Sequence, residues 1–355
     1  MELNKLHDCV YLCPAEIDEV STSFRFGYLY RKLRSPFIRW LGNFSTRIGF
    51  FWLAEKLEVQ RYQLPEIEDG VFDYIFVHDL YILPHVSHFS NSRVIFDARE
   101  YYPLEFSDDH EWKNTTGKLA EYICKKHMPR CYKLLTVSPS ITRMYEKLVN
   151  KKVQFFPSYP RSELLTTSNR KQDEHLKIKF IHHGNAFKNR GLERMLDLME
   201  LLGEGYHLDM MLVSSASNTY FNFIKAKAKN LQNVNIISPV HPDQIIEKCS
   251  AYDMGLYLME VNDNQNKYCL PNKYFEFLYA GLPVITSCSE DMSEITEKFG
   301  LGLGFTTETI EFIAQKIKAL KTRDIDAFQQ AVAKTIPNWT VSQNVKDNLQ
   351  ELLQE

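Results

Sequence analysis

Short apolar runs alternate with longer amphipathic stretches along the first half of the chain. A short apolar run bounded by turn residues predicts a buried strand, and apolar residues recurring every three to four positions predict a helix. Strands are predicted at 8–13, 73–77, 93–97, 133–137 and 153–156, and helices at 36–58, 80–89, 112–128 and after Ser138-Pro139. The alternation predicts a doubly wound parallel sheet, whose ligands gather beyond the carboxyl ends of the strands.

The alternation lapses over 158–176, a polar stretch that predicts an interdomain linker, and then restarts. Strands are predicted at 178–182, 208–213, 234–237, 254–259, 282–286 and 303–305, and helices at 191–202, 219–230, 242–251, between Pro271 and Gly281, and at 307–321, 324–334 and 340–353. Two α/β domains, 1–165 and 166–337, are therefore expected, followed by a helical segment at 338–355. The two domains are expected to face each other across a central cleft, where both can contact a ligand.

The stretch 268–286 (Y-C-L-P-N-K-Y-F-E-F-L-Y-A-G-L-P-V-I-T) predicts a loop, a short helix and a buried strand. Lys273 lies in the first helical turn, where the helix dipole favours negative charge, so this lysine is expected to bind an anion. Glu276 lies one turn further on and can accept hydrogen bonds from sugar hydroxyls. The alternative is an exposed Lys–Glu pair on an ordinary amphipathic helix.

A second cationic segment, G-N-A-F-K-N-R-G at 184–191, lies between a predicted strand and a predicted helix. Lys188 and Arg190 in such a loop suit a diphosphate, since the loop lies over a helix start. The alternative is a plain connecting loop with exposed cations. Together with Lys273 and Glu276, the segment predicts one nucleotide-diphosphate site with two cationic walls.

Charge is distributed unevenly along the 355 residues. Residues 20–54 contain six cations, no carboxylate and ten aromatic residues, so the rest of the chain carries −9 although the net charge is only −3. Basic and aromatic residues in one segment favour binding to an anionic membrane surface. Each cation near such a surface contributes about 1 kcal/mol of binding free energy. Nucleic acid is not expected as a partner, because the acidic remainder would repel a duplex and no nucleic-acid module is present. The alternative is a core of aromatic residues with arginines on the solvent side.

Composition is that of a globular protein, with 44% hydrophobic and 25% charged residues. No long apolar run and no secretion signal are seen, so a cytoplasmic protein is expected. The seven cysteines show no metal-binding spacing, so no metal is expected.

Several motifs resemble those of the retaining GT-B glycosyltransferases, in particular family 4 of the bacterial surface-polysaccharide type. They are F-V-H-D-L-Y-I-L-P (76–84), V-I-F-D-A-R-E-Y-Y-P (94–103), L-L-T-V-S (134–138), I-H-H-G-N…R-G-L-E (181–193), A-Y-D-M-G-L (251–256) and L-P-N-K-Y-F-E-F-L-Y-A-G-L-P-V-I (270–285). The resemblance implies an acceptor-binding first domain, a donor-binding second domain and a last helix that returns to the first domain.

The resemblance also implies roles for particular residues. Glu276 is expected to hold the ribose hydroxyls, and Arg190 and Lys273 the diphosphate; Val240 is expected near the base, and Arg99 and Glu100 in the cleft. The expected catalytic residues are thus Arg190, Lys273, Glu100 and Arg99, and the donor-binding residues are Gly184, Asn185, Lys188, Val240, Asn272 and Glu276.

Three positions depart from the family pattern. Tyr268 lies where many members have a sugar-facing glutamate, and Arg99 replaces a cleft histidine. No glycine occurs between Cys13 and Phe26, although the family usually has a glycine-rich loop after its first strand.

The sequence is therefore interpreted as a hexosyltransferase that moves a sugar from a UDP- or GDP-sugar to a glycan, plausibly lipid-linked, with retention of configuration. One alternative is a nucleotide-sugar epimerase of GT-B fold, with Glu100, His78 and Asp79 as acid/base candidates. Another is a non-catalytic nucleotide-sugar-binding scaffold.

Overall fold

The computed structural model describes residues 9–13, 23–25, 27–28, 35–165, 177–214, 218–259 and 264–350. Contacts within the chain divide it into two units. The first comprises Met1–Phe156, Asp263–Gln265 and Asn348–Glu355, and the second comprises Pro157–Asn262 and Asn266–Asp347. The predicted linker at 158–176 follows this division, although residues 166–176 lie outside the described part of the chain.

The first unit is built on a small parallel sheet. The strands of this unit are β1 (Tyr11–Cys13), β2 (Ser23–Arg25), β3 (Gly27–Tyr28), β4 (Tyr62–Gln63), β5 (Tyr74–Val77), β6 (Arg93–Ala98), β7 (Lys133–Thr136) and β8 (Gln154–Phe155). Its helices are α1 (Pro36–Arg47), α2 (Phe51–Val59), α3 (Leu83–Val86), α4 (His110–Asn114), α5 (Thr116–His127) and α6 (Pro139–Val149). Strands β5-β6-β7-β8 pair in parallel in that order, β1 pairs with β2, and β3 pairs antiparallel with β4.

The second unit has a six-stranded, wholly parallel sheet. Its strands are β9 (Ile178–Asn185), β10 (Tyr206–Val213), β11 (Val234–Ile237), β12 (Met254–Leu258), β13 (Val284–Ser287) and β14 (Gly302–Gly304). The helices from here on are α7 (Glu193–Leu202), α8 (Thr219–Ala228), α9 (Ile245–Cys249), α10 (Asn264–Tyr268), α11 (Asn272–Tyr279), α12 (Glu290–Phe299), α13 (Ile310–Lys318), α14 (Thr322–Thr335) and α15 (Val341–Asn348).

The strand order of this sheet, β11-β10-β9-β12-β13-β14, reverses direction between β9 and β12. The chain moves outward from β9 to β11 and then returns to build β12 to β14 on the other side. Helices following β9 and β12 therefore leave from opposite faces, which opens a crevice beyond the carboxyl ends of these two strands. The candidate site is built at this switch point.

Apolar side chains of the second sheet form a single large core with the helices that cover it. Phe180 of β9 and Leu256 of β12 are fully buried, as are Leu196 of α7 and Ile313 of α13. Apolar residues at helical spacing on α7 and α13 explain why these helices pack on a sheet whose strands are nearly continuously apolar. The sheet thus gives the site a rigid base.

Two predicted helices are shorter or broken in the structure. The helix predicted at 36–58 is two helices, because Gly49 takes a left-handed conformation (φ +83°) that ends α1 after Arg47. The helix predicted at 80–89 is only the single turn of α3. Pro84 within that segment prevents the regular hydrogen bonding that a longer helix starting at Leu80 requires.

Helix α12 was not predicted, although its sequence contains ordinary helix signals. The Ser289 side chain caps its start, Glu290 and Asp291 lie in the first turn, and Gly300 (φ +65°) ends it. Helix α10 was also not predicted. None of the helices in the described ranges is both long enough and apolar enough to span a bilayer.

Candidate functional site

Gly184 lies at the carboxyl end of β9, against the first turn of α11. Its φ of +139° is rarely adopted by other residues, and a Cβ built there would lie 2.5 Å from Lys273 Nζ. Strand β9 extends to Asn185, so Gly184 and Asn185 end a strand rather than lying in the predicted loop. A glycine at this position lets the lysine side chain lie directly on the strand end.

Lys273 is held at that place without an ion-pair partner among the residues that the structure describes. Its Nζ lies over the Tyr257 ring, 4.6 Å from the centroid, and it makes no hydrogen bond to a residue that the structure describes. Burial, together with the nearby Arg190 charge, lowers the pKa of Lys273 to about 7, while Glu276 acts in the opposite direction. The site therefore holds a cation that lacks sufficient negative charge around it.

Arg190 contacts the hydroxyl of the same tyrosine. It ends the short 3-10 turn Lys188–Arg190, and its Nη1 donates to the Tyr257 Oη at 3.3 Å. The same nitrogen lies 3.9 Å from Met259 Sδ. Lys188 of this turn is exposed. Of the two cations predicted in this segment, Arg190 is thus the one that the fold brings to Lys273.

Glu276 lies one turn after Lys273 on α11. Its Oε2 is 3.4 Å from Nε2 of the buried His183, and its side chain keeps 24% of its surface exposed. Burial raises the pKa of Glu276, and Lys273 acts in the opposite direction. Burial and Lys273 lower the pKa of His183 to about 3, so this imidazole is neutral near pH 7. The exposed part of Glu276 can accept hydrogen bonds from a ligand.

His182, which the sequence analysis did not single out as a site residue, is fully buried beside Tyr257. Its ring lies nearly parallel to the tyrosine ring, with centroids 5.9 Å apart, and its Nδ1 is 2.9 Å from the Leu256 carbonyl oxygen. Burial and the Lys273 charge hold the pKa of His182 well below its ordinary value. Since a neutral imidazole must donate from Nδ1 to that carbonyl, Nε2 is an acceptor. It is buried and has no hydrogen-bond partner in the described ranges of the chain.

The remaining predicted donor residues lie at the edge of this group. Asn272 is the exposed first residue of α11, where Pro271 provides no side-chain cap for the free N–H groups of the first turn. Val240 is partly exposed in the loop after β11, followed by the exposed His241. Uncapped N–H groups beside Lys273 are suited to an anion.

Arg99 and Glu100 follow β6 in the first unit, where a buried carboxylate organises their surroundings. Arg99 Nη2 lies 2.5 Å and His78 Nδ1 lies 3.1 Å from the same oxygen of Asp97. The other oxygen, Oδ1, is buried and accepts no hydrogen bond from a described residue. The Glu100 carbonyl accepts from the Tyr145 hydroxyl at 2.7 Å. Asp97 is therefore the residue that orients Arg99 and His78, a role that strand-end position alone did not reveal.

Two local groups thus result from the predicted residues. Gly184, Arg190, Lys273 and Glu276 come together in the second unit, and Arg99 and Glu100 lie beside Asp97 in the first. Tyr268, which occupies the position of the missing glutamate, ends α10. In the described part of the chain, no cluster of three or more histidines, cysteines or acidic residues is arranged to hold a metal ion.

Comparison with known proteins gives one family match and many fold matches. Residues 206–351 match the family described as glucosyltransferase 3-like, C-terminal domain. No curated protein matches the sequence. The family match covers much of the second unit, including Lys273 and Glu276.

Solved structures similar to the whole chain include a glycosyltransferase from Rickettsia africae, with a TM-score of 0.62 and 13% identity over 94% of this chain and 86% of that one. The E. coli trehalose-6-phosphate protein bound with UDP-2-fluoro glucose has a TM-score of 0.61 and 11% identity over 91% and 80% of the two chains. A mutant S. aureus TarM in complex with fondaparinux, alpha-GlcNAc-glycerol and UDP has a TM-score of 0.56 and 11% identity over 76% and 52%.

These similarities show the fold. The structural neighbours are GT-B glycosyltransferases, so the predicted GT-B fold is confirmed. The chain spans about half of the length of the TarM structures that it matches.

Proposed function

We propose that this protein is a glycosyltransferase whose second unit binds a nucleotide-sugar donor. The proposal depends on the observation that Arg190 and Lys273 both contact Tyr257. These contacts lie at the crevice beyond β9 and β12, beside the uncapped start of α11. Lys273 has no ion pair with a residue that the structure describes, so a diphosphate beside it supplies negative charge, and Arg190 can donate to the same phosphates. The family match over 206–351 supports the same interpretation.

The donor is proposed to lie along α11 and the end of β9. Lys273, Arg190 and the first-turn amides hold the diphosphate, and Glu276 accepts hydrogen bonds from the ribose hydroxyls. Gly184, Asn185, Lys188 and Asn272 border the phosphates and sugar, and Val240 borders the base. UDP- and GDP-sugars both fit these interactions, since none of the interactions distinguishes uracil from guanine.

Transfer is proposed to proceed with retention of configuration, as the resemblance to the retaining GT-B enzymes implies. The bond between the anomeric carbon and the diphosphate oxygen breaks, the bond to the acceptor oxygen forms on the same face, and the acceptor proton passes to the departing diphosphate. Arg190 and Lys273 stabilise the charge that develops on this leaving group, a contribution of several kcal/mol in such sites. No metal is required for this role.

The acceptor is proposed to be a lipid-linked glycan that interacts with the first unit. Arg99 can bind an acceptor phosphate while Asp97 holds its orientation, and Glu100 follows directly. His78, held by the same carboxylate, exposes 59% of its side chain and can contact an acceptor hydroxyl.

An anionic membrane surface is proposed as a partner of α1 and the start of α2. Phe37, Trp40, Phe44 and Ile48 form an exposed stripe along α1, in which Phe37, Trp40 and Phe44 stack, and it continues into the exposed Phe50 and Trp52. Arg39 and Arg47 of the same helix are exposed, and Arg47 lies 3.5 Å from Glu111 in a pair that is open to solvent. Aromatic residues and cations on one helix fit the interface of an anionic bilayer.

The rest of the predicted segment, residues 20–34, lies mostly outside the described part of the chain. The protein is accordingly proposed to act in the cytoplasm, at the inner face of the membrane.

The proposed donor site is tested with a panel of UDP-, GDP- and other nucleotide sugars, scored by thermal shift and by slow donor hydrolysis. At least one donor is expected to raise the melting temperature, because a ligand that binds only the folded state stabilises it. The variants Lys273→Ala and Glu276→Ala are expected to lose that shift and all transfer while remaining folded. The matched control replaces Glu121 and Lys125, an exposed pair on α5, by alanine.

Two results would contradict the proposal. One is full transfer activity in the Lys273→Ala/Glu276→Ala double variant. The other is a panel in which no nucleotide sugar shifts the melting temperature of the wild-type protein. Retention is tested separately by NMR of the anomeric configuration of the product, where an inverted product would refute the proposed mechanism but not the donor site.

A further inference from the structure

Tyr257 contacts both cations of the site, each with a different part of its side chain. It belongs to β12, the strand beside the switch point, and its relative exposure is 1%. The ring face lies under Lys273 Nζ, and the hydroxyl oxygen accepts from Arg190 Nη1.

The two contacts have different physical origins. An ammonium over an aromatic face is attracted by the ring quadrupole, and the attraction strengthens when water is excluded. The hydrogen bond from the guanidinium to the hydroxyl oxygen fixes where Arg190 lies relative to the ring. Burial raises the pKa of Tyr257, so the side chain stays neutral and cannot act as a counterion.

A neutral side chain between two cations can position them without satisfying them. A carboxylate at the same place would neutralise Lys273 and Arg190 and compete with an incoming anion. Tyrosine adds no negative charge of its own, and β12 fixes its position because the strand is buried on both sides. The parallel His182 ring packs against it on the sheet side.

We infer that Tyr257 is a positioning residue that holds Lys273 and Arg190 at the spacing required to bind the diphosphate of the donor. The inference rests on the proposed function and deepens it, since it names a residue that neither sequence motif contains. Tyr257 contacts the ligand only through the two cations, so its effect is specific to phosphate charge.

Two substitutions separate the hydroxyl from the ring. Tyr257→Phe keeps the ring under Lys273 and removes only the acceptor for Arg190, so diphosphate affinity is expected to fall about fivefold. Tyr257→Leu removes both contacts, and affinity is expected to fall about 30-fold or more. The matched control is Tyr252→Phe, which removes another tyrosine hydroxyl just before β12, one that donates to Asp209 and contacts neither cation.

The probes are UDP and uridine, or GDP and guanosine if the donor panel selects guanine. Each is titrated against the wild-type protein and the three variants by calorimetry or by competition. The expected result is a graded loss of nucleoside diphosphate affinity with nucleoside affinity unchanged, because only the diphosphate is held by the two cations. A structural role alone would lower both affinities together, and that result, or a loss of less than twofold in Tyr257→Leu, would overturn the inference.

The variants Lys273→Ala and Arg190→Ala distinguish this inference from the proposed function. If both bind the nucleoside diphosphate as the wild-type protein does, the donor site itself is wrong. If both lose it while Tyr257→Leu retains it, the donor site stands and the positioning role of Tyr257 is refuted.

Discussion

At the residue scale, the chemistry of the site depends on a lysine whose charge the protein only partly favours. Lysine has an ordinary pKa near 10.4, but burial and Arg190 lower the pKa of Lys273 to about 7. In the ligand-free protein, Lys273 is therefore part protonated and part neutral near neutral pH. A diphosphate next to it restores the preference for the charged form.

Donor affinity is therefore expected to depend on pH with a defined sign. Below about pH 7 Lys273 is already protonated, so affinity is constant there. Above about pH 7 the free protein loses the proton that the bound state keeps, so affinity falls by up to about tenfold per pH unit until the pKa of the complex is reached. Titration of the nucleotide sugar by calorimetry from pH 6 to pH 9 measures this dependence.

A nucleotide sugar is the right probe here because its diphosphate has no ionisation of its own in this range. Calorimetry in two buffers of different ionisation enthalpy counts the protons taken up at pH 8, where uptake is expected. The control Lys273→Met should bind more weakly and without that slope. An affinity that does not change between pH 7 and pH 9 in the wild-type protein would contradict the expected coupling.

Residues of the site differ in how visible they are in the sequence. Lys273 and Glu276 were predictable because a lysine in a first helical turn and a carboxylate one turn later are local patterns. Tyr257 and His182 were not predictable, since an aromatic residue in a buried strand is expected in any hydrophobic core. Only the neighbours across β9, β12 and α11 give these two side chains a role.

At the element scale, the position of α11 depends on a glycine in the strand beneath it. A Cβ at Gly255 of β12 would lie 2.4 Å from Cγ of Phe277, which is fully buried under α11. Real side chains do not approach so closely, so the helix can pack at its observed distance only over a glycine. Since α11 carries both Lys273 and Glu276, this contact also sets where those two side chains lie.

The variant Gly255→Ala is therefore expected to lower the free energy of unfolding by about 1–3 kcal/mol, as overpacked cores do. It should also weaken nucleotide-sugar binding, because α11 must move away from β12. Denaturant unfolding measures the first effect and thermal shift with the donor measures the second.

Gly205→Ala is the matched control for Gly255→Ala. A Cβ at Gly205 meets no atom within 4 Å, so its effect should stay within about 0.5 kcal/mol. Equal stability and equal donor binding in the two alanine variants would show that Gly255 does not position α11.

At the scale of the whole molecule, charged and exposed aromatic residues are distributed unevenly. Six large exposed apolar residues lie within 37–52, and the segment 20–54 carries +6 in a chain whose net charge is −3. Electrostatic attraction to anionic lipid weakens as salt screens it, whereas aromatic insertion does not. Both contributions can therefore be measured separately.

The protein is expected to sediment with vesicles that contain anionic phospholipid at low salt and to be largely released at high salt. Replacing Phe37, Trp40 and Phe44 by serine should reduce binding at every salt concentration, and Arg39→Gln should reduce it mainly at low salt. The control replaces Phe223 and Phe312, exposed aromatic residues of α8 and α13, by serine.

Two outcomes would refute the proposed membrane contact. One is vesicle binding that is indifferent to salt and to the α1 substitutions. The other is a concentration-dependent dimer that the α1 substitutions dissociate, which would show that a second copy of the chain covers this face instead.

The sequence by itself determined the fold class and most strands of both sheets, and it predicted the cationic residues of the candidate site. These depend on short-range patterns, namely apolar periodicity, helix capping and the charge at a helix start. The break of α1 at Gly49 and the start of α12 at Ser289 were also encoded locally, although they were not predicted.

Only the tertiary structure decided that Lys273 and Arg190 both contact Tyr257. It also decided that β9 ends beneath Lys273. The physical reason is that these contacts join residues far apart in the chain, whose distances are set by the strand order at β9 and β12 and by the packing of Phe277 on Gly255. The pKa of Lys273 likewise results from burial and from neighbours brought by the fold, and no local pattern in the chain contains that information.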